Sequence, residues 1–232
     1  MREARALMDD YKKLSTPRPL WAVAEQIRYL KPFDAVAEAA RELGDVQHFA
    51  LELYAHSEPG SKYYETAWRQ ESSFPGYLVD GGVHFAAGLR RVLSSQPARV
   101  SAFSNQIRPY LPPVDTFNAT VALKSGATGT FNMSFGSNAK KLELQLAAEK
   151  GSLTFSNMSH LVVTDVEGKV TLDEKFDTTS QQAVQRELEA FADGIEQGEL
   201  QLFSTADEAL QDLALIESIL ESGKAGGATI SL

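Results

Sequence analysis

The spacing of apolar residues divides the chain into helical and extended segments. Segment 2–14 repeats its apolar residues at helical spacing and predicts an amphipathic helix. After a proline-containing break, the apolar run 20–24 predicts a short buried strand, because such runs suit a sheet that is covered on both faces. A second helix is expected over 33–43, where Gly44 closes it in a left-handed conformation. The chain therefore begins with a helix, a strand and a helix.

The middle of the chain has the alternating pattern of strands. The segments with this pattern are 46–56, 98–106, 116–124, 128–135, 141–148, 152–155, 160–165 and 169–176. Turn residues such as Ser125-Gly126 and Glu167-Gly168 separate neighbouring segments, which favours antiparallel hairpins. An antiparallel meander is therefore expected.

Two helices close the chain, over 181–197 and 205–222, and each is predicted to pack an apolar stripe on the core. In the first helix this stripe includes Leu188 and Ile195. The order of elements predicts an α+β fold, in which a large, open, mostly antiparallel sheet has helices on one face. The alternation within 128–135 implies that the other face of the sheet is open to a partner.

The composition narrows the function classes. The chain has 232 residues, of which 43% are hydrophobic, enough for a sizeable core. A formal charge of -9 repels nucleic acids and anionic membrane surfaces, so we expect neither as a partner. There is no cysteine, and no apolar run is long enough to span a membrane. We expect a cytoplasmic protein that acts on a small molecule.

Asp80 and His84 are the residues best suited to chemistry. If a helix starts at Asp80, the two side chains stand at i and i+4 and project from one face. The helix dipole favours an ionised carboxylate there, and such a carboxylate can orient a histidine that titrates near neutrality. We expect His84 to point into the main cleft, within hydrogen-bond reach of Asp80 or of a ligand that the two share, as an acid/base pair. From spacing alone, a capping aspartate and a structural histidine explain the pattern as well.

Several segments resemble one enzyme family. The run Leu78-Val79-Asp80-Gly81-Gly82-Val83-His84 resembles the Asp-x-Gly-x-His segment of the glucose-fructose oxidoreductase and inositol dehydrogenase (Gfo/Idh/MocA) enzymes, and segments 23–29, 68–69 and 126–129 recur there in the same order. The resemblance implies that His84 exchanges a proton with a substrate hydroxyl while a hydride moves to or from a nicotinamide. It implies that Asp80 holds that hydroxyl and the histidine, and that the cofactor is NAD(P).

Further site residues are expected around this pair. The resemblance places Arg28, Trp68 and Arg69 near the substrate and Gln26 near the cofactor. Tyr77, close in sequence to Asp80, is expected to line the substrate pocket. The remaining histidines share no ligand spacing, so we expect no metal site.

The chain also departs from the family pattern. A Gly-x-Gly-x-x-Gly turn is absent, as is the Glu-Lys-Pro segment that the family carries just ahead of the helix that here begins at Arg2. Residues 1–30 are therefore predicted to be a remnant of a doubly wound dinucleotide-binding domain, namely its last helix and strand. Residues 31–232 are predicted to form the substrate and oligomerisation domain. We expect this chain alone not to hold NAD(P) in the usual way.

The family oligomerises through its sheet, so the resemblance implies a homo-oligomer. We expect the contact face within 98–176, and we expect Phe131, Met133, Phe135 and Leu144 to lie on it.

Three functions are compatible with the sequence. The first is the substrate-binding half of an NAD(P)-dependent dehydrogenase that acts on a sugar-like or polyol hydroxyl. The second is a short, cofactor-free enzyme that uses Asp80 and His84 for isomerisation, dehydration or cyclisation. The third is a non-catalytic oligomerisation module.

Overall fold

A nine-stranded sheet organises the part of the chain that the computed structural model describes, residues 2–71, 75–177 and 179–232. Its strands, β1 to β9 in chain order, are Val46–His56, Pro97–Asn105, Thr116–Leu123, Thr128–Ser134, Gly136–Ala148, Gly151–Ser156, His160–Asp165, Val170–Lys175 and Ile230–Ser231. Their order across the sheet is β8-β7-β6-β5-β1-β4-β3-β2-β9. Strands β1 and β4 run parallel, and the other neighbouring pairs run antiparallel.

Five α-helices accompany the sheet within the described ranges. They are α1 (Arg2–Lys12), α2 (Lys31–Leu43), α3 (Gly76–Val92), α4 (Ser180–Gln197) and α5 (Ala206–Lys224). Helices α2, α3 and α5 bury their apolar residues in the same core as the sheet. None of the described helices combines the length and apolar character needed to cross a membrane.

The two faces of the sheet differ sharply in polarity. In β1, Phe49, Leu51 and Leu53 are buried, while the residues between them point to the opposite face. The pairing of β1 with β4 and β5 continues the division, because Leu51 lies opposite Phe131 and Leu144. All of these apolar residues are buried within the chain. One face is therefore core, and the other face is polar and open.

The predicted α+β class, with its open and mostly antiparallel sheet, is confirmed. The segments predicted as strands between 46 and 176 all form strands, and the predicted helices are present with shifted ends. Strand β9 was missed because its two residues carry too short a pattern to read.

Segment 20–24 is not a strand, contrary to the prediction. Only one isolated bridge forms there in the described structure, between Ala22 and Thr205. An extended segment becomes a strand when a neighbouring strand accepts its main-chain hydrogen bonds. The nine strands of the sheet lie elsewhere, so 20–24 instead connects α1 to the turn before α2, the 3-10 turn Gln26–Tyr29.

The predicted packing face of α4 is also wrong. Leu188 and Ile195 are 62% and 57% exposed, whereas Ala183 and Ala190 are buried. Small side chains allow the helix to approach the segment before α2 closely. The buried face was therefore set by the small residues and not by the larger apolar stripe.

The apolar residues expected on the open face of the sheet lie in the core instead. Phe131 and Met133 are fully buried, Leu144 is nearly so, and Phe135 packs against Tyr77 of α3. The predicted alternation of apolar and polar residues is present in β4. Alternation alone does not show which face of the sheet the helices cover.

Candidate functional site

Helix α3 carries the residues predicted to act on a substrate, but it begins earlier than predicted. Its first residue is Gly76, so Asp80 lies in the second turn and does not cap the helix. A Cβ atom at Gly76 would lie 3.2 Å from the Cα of Arg69. Glycine therefore lets the turn that carries Trp68 and Arg69 pack closely against the start of α3.

Asp80 is paired with Arg69. The Nε and Nη2 atoms of Arg69 donate to Oδ2 of Asp80 at 3.1 and 2.5 Å. The guanidinium also lies 4.5 Å from the ring centre of Trp68 and 5.3 Å from that of Tyr63. The Asp80 side chain remains 38% exposed, so one oxygen can still receive a hydrogen bond from a ligand.

His84 is paired with Glu25, a residue for which no role was predicted. Nδ1 of His84 lies 2.8 and 2.9 Å from the two carboxylate oxygens of Glu25. The Glu25 carboxylate is almost fully buried, whereas the His84 side chain is 33% exposed. No hydrogen bond joins Asp80 to His84 in the described structure, so the direct bond is not formed and a ligand shared by the two residues stays a prediction. The only sequence signal for Glu25 was its place in segment 23–29.

A third carboxylate completes the surroundings of the ring. The main-chain N–H of Glu25 donates to a carboxylate oxygen of Glu187 in α4. The hydrogen bond to Glu25 raises the pKa of His84 above its ordinary value, and the negative charges of Glu25, Asp80 and Glu187 act in the same direction against the effect of burial. Burial raises the pKa of Glu187.

Tyr77 is buried in α3, three residues before Asp80. Its hydroxyl has no hydrogen-bond partner among the described residues, and burial raises its pKa. A buried, unpaired hydroxyl is costly, so this position is suited to a ligand or water that supplies the missing bond. Trp68, whose ring lies against Arg69, is 42% exposed. Gln26, directly after Glu25, is half-buried.

Arg28 is buried in the interior, contrary to its predicted substrate-binding role. Its guanidinium donates to Asp212 of α5 and, at 2.8 Å, to the carbonyl of Phe203. Arg90 of α3 donates to the other oxygen of Asp212 at 2.5 Å and to Glu208 at 2.8 Å. The side chains of Arg28, Arg90 and Asp212 are each no more than 3% exposed. These ion pairs join three elements and hold the Arg28 guanidinium in the interior.

The most spacious of the clefts described here does not include the pair. It has a volume of about 940 Å³ and lies between α1, α3 and α5, with Pro75 and Val79 in its wall, but neither Asp80 nor His84 lines it. Among the described residues, no group of three or more His, Asp or Glu side chains is placed to hold a metal ion.

The arrangement provides a proton-transfer group beside a hydrogen-bonding group. Because a carboxylate only accepts hydrogen bonds, the Nδ1 atom of His84 carries the proton that faces Glu25. In the neutral ring, Nε2 is then the free base. A substrate oxygen near Nε2 can lose or gain a proton there, while Asp80 and Arg69 can bind a neighbouring polar group.

Comparison with known proteins relates most of the chain to oxidoreductases. A model of the C-terminal alpha/beta domain of an oxidoreductase family matches residues 39–232. The dehydrogenase FPY6 of Fusarium mangiferae is 32% identical over 230 residues, which cover 97% of this chain and 66% of that protein.

Solved structures share the fold. An oxidoreductase from Thermotoga maritima superimposes with a TM-score of 0.85 at 21% identity. The match covers 99% of this chain and 67% of the Thermotoga maritima chain. An inositol dehydrogenase homolog from Azotobacter vinelandii, complexed with NADH and myo-inositol, has a TM-score of 0.80 at 16% identity, covering 100% of this chain and 68% of its own. The chain thus spans about two thirds of the length of the relatives that it matches.

Proposed function

Because the chain belongs to the Gfo/Idh/MocA oxidoreductase family, whose C-terminal α/β domain it contains, we propose that it forms the substrate-binding part of an NAD(P)-dependent dehydrogenase. The substrate carries a sugar-like or polyol hydroxyl. His84 transfers the proton of that hydroxyl, and Asp80 helps to hold the substrate.

The observation that carries this proposal is the orientation of His84. Its Nδ1 atom is occupied by the buried Glu25 carboxylate, so the second ring nitrogen is left for a ligand on the partly exposed side. In oxidation, Nε2 accepts the hydroxyl proton, and in reduction the imidazolium returns it.

Substrate contacts come from the residues around Asp80. Asp80 accepts a hydrogen bond from a substrate hydroxyl and Arg69 donates one, since both groups retain hydrogen-bonding capacity beyond their mutual ion pair. The exposed Trp68 ring covers an apolar face of the substrate. The substrate also bonds to the Tyr77 hydroxyl, which has no partner among the described residues. Among relatives, the Azotobacter vinelandii protein was complexed with myo-inositol, and the WlbA dehydrogenase of Bordetella pertussis with NADH and UDP-GlcNAcA.

The residues of this chain do not fit the nucleotide part of NAD(P). Pyrophosphate recognition uses a glycine-rich turn at the start of a helix, and this sequence has no Gly-x-Gly-x-x-Gly segment. Gln26, next to Glu25, is the residue of this chain proposed to lie near the cofactor. Titration calorimetry should therefore detect very weak binding or none for NAD(H) and NADP(H), and a micromolar affinity would contradict this assignment.

The alternatives of cofactor-free chemistry and of a pure oligomerisation module gain no support from the comparisons. Self-association is nevertheless part of the proposal. The chain pairs with a second copy through the open face of its sheet, on which uncharged side chains such as Thr120, Thr130 and Asn132 lie in the middle.

The test of the function uses the longest gene product that contains these residues. Reduction of NAD(P)⁺ is followed with a panel of polyols and sugars, and the thermal midpoint is measured on the same variants. His84→Ala should abolish turnover and leave the fold intact. The control His48→Ala, on β1 away from the site, should retain both turnover and fold. Unchanged turnover in His84→Ala would refute the proposal.

A further inference from the structure

Glu25 is placed where a group that controls His84 would lie. It precedes a single 3-10 turn, Gln26–Tyr29, and its Oε1 atom accepts the N–H of Ile27 at 3.2 Å. Both carboxylate oxygens also reach Nδ1 of His84, which lies 59 residues further along the chain. The same side chain therefore starts the turn and holds the ring.

The turn itself is fixed from the other side by α4. Glu187 accepts the main-chain N–H of Glu25, and the neighbouring Arg186 donates to the carbonyl of Tyr29 at 2.6 Å. Arg186 also donates to Asp34 of α2 at 2.8 Å. Both ends of the turn are thus bound by adjacent residues of one helix. This leaves the Glu25 carboxylate little freedom to turn away from His84.

We propose that Glu25 is a positioning residue that fixes the tautomer and ring orientation of His84. This inference rests on the proposed role of His84 in proton transfer. A carboxylate cannot donate, so the pairing requires a proton on Nδ1 and presents Nε2 as the base. The neutral side chain of a histidine free in water prefers the opposite tautomer, with its proton on Nε2. Without Glu25, the nitrogen that faces the substrate would therefore often carry a proton and could not accept another.

The charges around the ring come from three separate elements. Glu25 approaches from the turn before α2, Asp80 from α3 itself and Glu187 from α4, and each favours the protonated ring. The hydrogen bond to Glu25 is the largest of the effects that raise the pKa of His84. Replacing Glu25 by alanine should therefore change both the tautomer and the titration of His84, whereas glutamine, which still accepts a hydrogen bond, should change only the titration.

The experiment reads the imidazole of His84 directly by ¹⁵N nuclear magnetic resonance. The chain has four histidines, so the signals can be assigned with single His→Gln variants. Wild-type protein should show the Nδ1–H tautomer at pH above the titration of His84. In Glu25→Ala this tautomer should be lost, and in Glu25→Gln the titration midpoint of His84 should move to lower pH. The matched control is Asp173→Asn. It removes the carboxylate on β8 that pairs with His160 of β7, and it should leave the signal of His84 unchanged.

The outcome is decisive even where a variant fails to fold. An Nε2–H tautomer in the wild-type protein, or an unchanged tautomer in a folded Glu25→Ala protein, would overturn the inference. In the longest gene product, Glu25→Ala should lower kcat by on the order of 100-fold with little change in KM. Glu25→Gln, whose amide oxygen can still accept from Nδ1, should lower kcat less. Because the resonance measurement needs no turnover, an inactive protein with the Nδ1–H tautomer would refute the proposed function and leave the role of Glu25 standing.

Discussion

His84 shows how two opposing effects compete at one residue. Burial disfavours a charged imidazole and lowers its pKa, whereas a hydrogen bond to a carboxylate favours the charged form. At His84 the bond to Glu25 is the larger effect, and the pKa is raised. The ring is therefore held by charge as much as by packing.

This raised pKa predicts how stability depends on pH. A histidine whose pKa is higher in the folded state stabilises the fold fully below the unfolded value, ordinarily 6.5, and this contribution is lost as pH rises through the folded pKa. The difference in free energy of unfolding between wild type and His84→Gln should therefore shrink as pH increases above 6.5. Urea denaturation across this range measures it.

A matched control separates this effect from general charge effects. In His48→Gln the removed ring contacts the main-chain carbonyl of Thr128 and not a carboxylate. A wild-type advantage over His84→Gln that grows with pH would contradict the pairing of His84 with Glu25.

At the scale of elements, a buried ion cluster joins the turn before α2 to α3 and α5. Arg28 and Arg90 both donate to Asp212, which is 2% exposed. Buried charges of this kind are tolerated only when each has a partner. Asp212 therefore fixes how the helices that frame the site are arranged.

Removal of this carboxylate should be strongly destabilising. Asp212→Ala leaves two buried guanidiniums without their shared partner and should lower the free energy of unfolding by about 3–5 kcal/mol. The control is Glu38→Ala, which removes the exposed partner of Arg41 and should cost less than about 1 kcal/mol. Equal losses in the two variants, measured by urea denaturation, would show that the cluster does not hold these elements together.

At the scale of the whole molecule, the open face of the sheet is the surface best suited to a second copy. Its middle carries small uncharged side chains from β1, β3 and β4, among them Ala50, Thr120 and Thr130. The charged residues Glu52, Lys141 and Glu143 on this face are paired with one another. Flat contact between two such faces would therefore bury few unpaired charges.

We expect the 25.4 kDa chain to sediment as an oligomer. Thr130→Glu places a charge in the middle of the open face and should shift the protein towards monomer, because a charge buried without a partner is costly. Gln181→Glu, which adds the same charge on the exposed start of α4, should sediment as wild type does. A monomeric wild type at every practical concentration would rule out this interface.

Much of the fold could be predicted because its signals are local. Two-residue alternation marks the strands between 46 and 176, and helical spacing places Asp80 and His84 near one another on one helix. The start of α3 was placed too late because Gly76 suits a helix poorly by propensity, and its close packing against Arg69 is a tertiary contact. The strand predicted at 20–24 failed for the same reason, since an apolar run does not reveal whether a neighbouring strand exists.

The sequence by itself determined the class of fold, the strands between 46 and 176 and the placement of Asp80 and His84 on one helix, since these depend on periodicities of a few residues. Only the tertiary structure decided the partners of those residues. Glu25 lies 59 positions from His84, Glu187 lies 162 from Glu25, and Asp212 lies 184 from Arg28. Contacts over such separations depend on how the elements pack in space, and no spacing along the chain encodes that packing.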